Sequence, residues 1–152
     1  MNTQWLTRLA TLGPVGSFRG SGTYATIATI PLVILLSLTP YKFYAAFIGI
    51  GLIIAFFSIR YALPLFPQVT DPADIVVDEI VATLIAFWHV PLTFKRVLFG
   101  VILFRYIDIK KPWILKNMQH RAGAFWILLD DVLAAMATNA AIQVFLYLCS
   151  CS

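Results

Sequence analysis

The chain is poor in charge. Asp, Glu, Lys and Arg make up 12% of its 152 residues, against about 25% in an ordinary soluble domain. Acid is scarcer still: seven carboxylates, none before Asp71 and none after Asp131. That distribution excludes a surface solvated by scattered charge. Cysteine is nearly missing too. Cys149 and Cys151 stand together in the last four residues, without partners at metal-ligand spacing, so they read as a plain terminus. The two histidines, His89 and His120, form no ligand pair. No Ser/Pro/Gly-rich linker, low-complexity tract or internal repeat divides the chain, so residues 1–152 read as a single domain. The N-terminus, with Arg8 and Arg19 among glycines, does not read as a cleavable signal.

What is present is apolar length. Hydrophobic residues make up 61% of the chain, and the mean hydropathy is +0.87. Charge-free runs cover Gly20–Tyr41 (22 residues), Phe43–Ile59 (17), Ile80–Phe94 (15), Val97–Phe104 (8) and Val132–Ser152 (21). A membrane-crossing helix needs about 20 apolar residues. The first and last runs meet that length. The second is flanked by Lys42 and Arg60, whose stems can snorkel. The third and fourth are short, and are either a hairpin entering the bilayer partway or spans packed inside a bundle, with Pro91 ending or kinking the third. The expectation is an all-α integral membrane bundle of about four or five apolar helices. The net charge of +4 then reads as the mark of an anionic membrane face rather than of nucleic acid.

Placing the N-terminus in the cytoplasm and alternating sides puts Arg8, Arg19, Arg60, Arg105, Lys110, Lys111, Lys116 and Arg121 inside. Lys42, Lys95 and Arg96 fall outside. This eight-to-three split follows the positive-inside tendency. It also sends every carboxylate to the cytoplasmic side, so the expected active site faces the cytoplasm.

The carboxylates fall in three clusters. Asp71-Pro72 reads as an N-cap with proline at the first helical position, and Asp74 then falls at N3. On that register Asp78 and Glu79 lie beyond the capping turn, at the mouth of an apolar helix, and need another reason to be there. In Phe104–Pro112, Arg105 and Asp108 are three apart and can pair on a helix. Lys110 and Lys111 follow, and Pro112 closes the segment. Asp130 and Asp131 interrupt the run from Ala122 to Ser152, either as a break between a peripheral and a membrane helix or as working groups. A buried carboxylate without partners costs several kcal/mol.

Oxygen donors without a Cys or His pattern suit a hard divalent cation, Mg²⁺, which shares its shell with phosphate oxygens. Arg105, Lys110 and Lys111 suit a phosphate. Together they describe metal-assisted phosphoryl transfer or hydrolysis at a membrane surface. The small-residue loop Gly20-Ser-Gly-Thr-Tyr-Ala-Thr26 can cradle a phosphate at a helix start, but lacks the lysine of a nucleotide-binding P-loop.

The motif order resembles the phosphatidylglycerophosphatase A family. The matching elements are Ser21-Gly-Thr-Tyr-Ala-Thr26 with Pro31, Asp71-Pro-x-x-Ile-Val-x-Asp-Glu79, Phe104-Arg-x-x-Asp-x-x-Lys-Pro-Trp113, and Asp130-Asp131 with Ala134. They cover about Gly20 to Ala135. Where the family has glycines after its two acidic pairs, this chain has Ala82 and Ala135.

The resemblance implies a bacterial inner-membrane enzyme that removes the phosphate monoester of phosphatidylglycerophosphate with Mg²⁺. It implies Asp78, Glu79, Asp130 and Asp131 as metal ligands, and Asp108, Arg105 and Lys111 as catalytic groups. Lys110 and Thr23 would join Arg105 and Lys111 on the phosphate. Rival readings are a cation-coupled transporter, a non-catalytic relative and a lipid phosphotransferase.

Overall fold

The computed structural model describes residues 4–13, 16, 18, 20–66, 74–110 and 123–150. These form α1 (Gln4–Thr11), α2 (Ser21–Ser37), α3 (Tyr41–Ala62, continued by a 3-10 turn, Leu63–Leu65), α4 (Val77–Ala86), α5 (Phe94–Lys110) and α6 (Ala124–Ser150). The described residues contain no strand.

The short helix α4 is the centre, packed against all five others. Seven of its ten residues are buried, Asp78 and Thr83 among them. Side-chain contacts give the directions. Gly51 of α3 faces Val81, and the Tyr44 hydroxyl donates to the Leu84 carbonyl at 3.0 Å, so α3 runs antiparallel to α4. Gly100 of α5 lies against the Phe87 ring while Arg105 reaches Glu79, so α5 is antiparallel as well. On α6, Asn139 and Gln143 reach the C-terminal end of α4, and Gly22 of α2 lies beside Glu79, so α2 and α6 run parallel to it.

The described bases therefore separate onto two ends. Arg8, Arg60, Arg105 and Lys110 share the end that holds the carboxylates. Lys42, Lys95 and Arg96 lie at the other.

At about 15 Å, α4 is too short to cross a bilayer, and its C-terminus stops among other helices. A helix end leaves carbonyls without partners, and burying them unsatisfied is costly. Here other helices supply the donors. Asn139 Nδ2 donates to the Ala86 and Trp88 carbonyls at 3.0 and 2.7 Å, and Gln143 Nε2 donates to the His89 carbonyl at 3.1 Å. The chain leaves through His89, at φ 59°, whose ring packs between Tyr41 and Trp88. The third apolar run thus ends as a helix at Ala86, well before Pro91.

Two expectations about helix ends are corrected. The Asp71-Pro72 signal places a helix start too early. Asp74 is in a turn, Asp71 lies outside the described residues, and α4 begins at Val77 with Asp78 and Glu79 in its first turn. The reason is tertiary. The Val76 amide is spent on the Ala10 carbonyl of α1 at 2.8 Å, and Gly16 lies directly against the Asp74 carbonyl. That holds residues 74–76 out of helical register.

The first apolar run yields only the 17 residues of α2. The Ser37 and Thr39 hydroxyls donate to the Ile34 and Leu36 carbonyls, and Pro40 starts the next helix. By contrast α6 passes unbroken through Asp130 and Asp131.

Among the described residues two helices are long and apolar enough to cross a membrane, Tyr41–Leu65 and Ala124–Leu148, each 25 residues. Their outer surfaces are greasy: Phe43, Phe47, Ile50, Ile53 and Phe57 line an exposed strip of α3. Continuous apolar strips of this kind are rare on soluble monomers.

Candidate functional site

Two helices bring three carboxylates to one point. Asp78 and Glu79 come from the first turn of α4 and Asp131 from the N-terminal part of α6. One oxygen from each lies within 4.8 Å of the others. The placement follows from packing. α4 and α6 lie side by side through Ala82, Ala134 and Ala135, all within 1% of full burial. Small residues let two helices approach closely, so Ala82 and Ala135 serve a tight contact.

Opposite the carboxylates is Arg105 of α5. Its Nη1 lies 2.8 Å from Asp108 Oδ2 and 3.8 Å from Glu79 Oε1. The i,i+3 ion pair expected on α5 is formed, and the same guanidinium also faces the α4 acid. Glu79 Oε2 and Arg105 Nε are buried without a hydrogen-bond partner among the described residues. Such groups cost free energy unless a ligand completes them.

Electrostatics point the same way. The Glu79 carboxyl is pushed up to about 8, first by burial and then by the negative charge of Asp131, while Arg105 only partly opposes these. Its first-turn position, where a helix N-terminus favours an anion, does not outweigh burial. A carboxyl in this state keeps a proton unless a cation replaces it.

The geometry also fits a small hard cation. Ligands held at about 2.1 Å lie about 3.0 Å apart when adjacent and about 4.2 Å apart when opposite on an octahedron, and three oxygens all within 4.8 Å of one another are close enough to converge on one such ion. Three clustered carboxylates facing one guanidinium leave an excess of negative charge for a cation to neutralise.

The remaining expected site residues are placed as follows. Asp130 is buried, but one residue from Asp131 on a helix means a rotation of about 100°, and it is outside the three-carboxylate group. Lys110 is exposed at the end of α5, and Lys111 lies outside the described residues. Thr23 is half-buried in the first turn of α2, and its hydroxyl makes no hydrogen bond among the described residues.

The residue beside it is closer to the chemistry. A Cβ on Gly22 would overlap Glu79 Oε1 and come within 2.9 Å of both terminal nitrogens of Arg105. Gly22 therefore lets the α2 backbone close over the ion pair. The Gly20–Thr26 signal marked this helix start, but its reading pointed to a phosphate cradle rather than to the missing side chain of Gly22.

The family model for phosphatidylglycerophosphatase A matches residues 8–146. A protein of Escherichia coli named phosphatidylglycerophosphatase A is 27% identical over 117 residues, covering 76% of this chain and 67% of its own. One of the same name from Haemophilus influenzae is 34% identical over 118 residues, covering 76% and 72%. No solved structure matches. On the span of that match, this chain belongs to the phosphatidylglycerophosphatase A family and is a phosphatase, a phosphoric monoester hydrolase.

Proposed function

We propose that the chain hydrolyses the phosphate monoester of phosphatidylglycerophosphate, giving phosphatidylglycerol and inorganic phosphate, with Mg²⁺ held by Asp78, Glu79 and Asp131 and with Asp130 adjoining. The observation that carries this reading is the three-carboxylate group facing an arginine that touches two acids, in a chain of this family. Mg²⁺ supplies Lewis-acid polarisation of the phosphoryl oxygens and of the attacking water.

The chain's own residues do the rest. Arg105 sets two donors toward the phosphate, and Asp108 fixes the guanidinium at 2.8 Å so that its orientation is set before substrate arrives. Lys110 and Lys111 add positive charge at the outer edge. Thr23 offers a hydroxyl donor beside Gly22. Water attacks phosphorus, the bond from phosphorus to the glycerol oxygen breaks, and that oxygen takes up a proton. Water attack needs no nucleophilic side chain.

The apolar exteriors of α3 and α6 support a multi-pass protein of the bacterial inner membrane, joined in the bilayer by α2 and by the α4–α5 hairpin to give four or five apolar helices. Four described bases at the carboxylate end, Arg8, Arg60, Arg105 and Lys110, support a cytoplasmic-facing site. Asp131→Asn tests the role assignment. Turnover is expected to fall about 10²–10³-fold, as for loss of a major electrostatic group, while the protein elutes as wild type from gel filtration. Near-normal turnover would refute it.

A further inference from the structure

A cleft of about 500 Å³ opens at the carboxylate end of the bundle, between the last turns of α3 and the first turn of α6. Its lining includes Phe56, Arg60 and Leu63 on one side and Phe125 and Trp126 on the other. A second cleft, of about 430 Å³, lies between the same two helices toward the opposite end. Ile85 and Trp88 form its floor, and Ala45, Ile48, Met136 and Ala140 its walls. Both clefts lie along one seam, the contact between α3 and α6.

Three observations say what occupies it. Its lower part offers almost no polar group that is not already used: Asn139, the polar residue lining it, donates to the Ala86 and Trp88 carbonyls. Dispersion against flexible hydrocarbon is what such walls provide. Second, Arg60 is the charged residue lining either cleft. It is exposed and makes no ion pair or hydrogen bond among the described residues.

Third, the seam is long enough for an acyl chain. Gly51 packs on Val81, and Arg60 lies nine residues beyond Gly51 while Glu79 lies two residues beyond Val81 in the same direction. The Arg60 backbone is therefore about 10 Å further out than the carboxylates, at 1.5 Å per residue. From Arg60 to Ala45 the seam runs about 22 Å inward, more than the ~15 Å of one hydrocarbon leaflet.

We propose that the α3–α6 seam binds the acyl chains of a glycerophospholipid, with Arg60 holding its backbone phosphodiester while the terminal phosphomonoester turns inward to the carboxylates. Arg60 is then a specificity residue: it recognises the second phosphate of a lipid that carries two. The inference rests on the function proposed above for its substrate, but not for its binding test.

Binding is measured with phosphatidylglycerol carrying brominated acyl chains, by quenching of tryptophan fluorescence in detergent micelles, since Trp126 and Trp88 line the two clefts. Wild type is expected to show saturable quenching, weakened about tenfold in Arg60→Gln. Brominated diacylglycerol, which lacks the phosphodiester, is expected to quench both proteins alike. Ala140→Phe, which fills the lower cleft, is expected to weaken both lipids.

In turnover, Arg60→Gln is expected to raise KM for phosphatidylglycerophosphate about tenfold more than for soluble glycerol 3-phosphate. Equal phosphatidylglycerol binding by wild type and Arg60→Gln overturns the proposal. So does an equal loss on the lipid and the soluble ester, or a seam filled by a second copy of the chain, seen as a dimer that excludes lipid. If neither compound releases phosphate, the proposed function fails, and the quenching experiment still decides the seam.

Discussion

Replacing Glu79 with glutamine should make the metal-free protein more stable. The folded-state carboxyl is raised from 4.5 to about 8, so the native state binds a proton that the unfolded chain has released. Between those pH values stability falls as pH rises. At pH 7 the deficit is about 3 kcal/mol, and above pH 8 it approaches about 5 kcal/mol, at ~1.4 kcal/mol per pH unit. Below about pH 4.5 both states are protonated and the deficit vanishes.

A glutamine side chain has the same shape as the glutamate and no charge to bury. In chelator at pH 7 the Glu79→Gln variant should melt about 6–12 °C above wild type, taking 2–4 °C per kcal/mol for a chain of this size. At about pH 4.5 the two should coincide. Added Mg²⁺ should raise the wild-type melting temperature and leave the variant nearly unmoved, because one ligand has lost its charge. The assay is thermal unfolding in detergent, followed by tryptophan fluorescence. A variant that melts below wild type at pH 7 in chelator would refute the reasoning, since Glu79 would then be a stabilising partner of Arg105 rather than an acid waiting for a cation.

Two further predictions concern packing. Gly22→Ala gains up to about 1 kcal/mol of helix propensity, yet drives a methyl group into Glu79 and the Arg105 guanidinium. Activity should fall about 10²-fold with a melting temperature no higher than wild type, and full activity would show that α2 does not close over the site. Asn139→Leu leaves the Ala86 and Trp88 carbonyls unpaired and should cost about 2–4 kcal/mol, read as a lower melting temperature. An unchanged value would mean that α4 does not depend on α6 for its C-terminal partners.

Much of the fold is legible in the sequence because apolar length is a strong signal. The long runs around Phe43–Ile59 and beyond Val132 become α3 and α6, and the i,i+3 spacing of Arg105 and Asp108 becomes an ion pair. Local signals fail where distant contacts overrule them. Asp71-Pro72 predicts a helix start, but the Val76 amide goes to the Ala10 carbonyl of α1, and no local pattern reports a partner so far away in the chain.

The same limit hides Asn139 and Gln143, which stand unmarked in the charge-free run from Val132 and are the donors that let α4 end inside the bundle. The acidic clusters contain all three residues of the carboxylate group. Only the packing of α4 on α6 selects Asp131 over its neighbour Asp130 for the group with Asp78 and Glu79. Gly22 is marked by the small-residue start of α2, but the guanidinium that excludes a Cβ comes from α5.

The most direct test of the account is inorganic phosphate release from phosphatidylglycerophosphate in detergent micelles, with Mg²⁺ present and with it chelated. Release that requires Mg²⁺, and that is lost in Glu79→Gln, is the predicted result. Undiminished release in chelator, or none in either condition from folded protein, would contradict it.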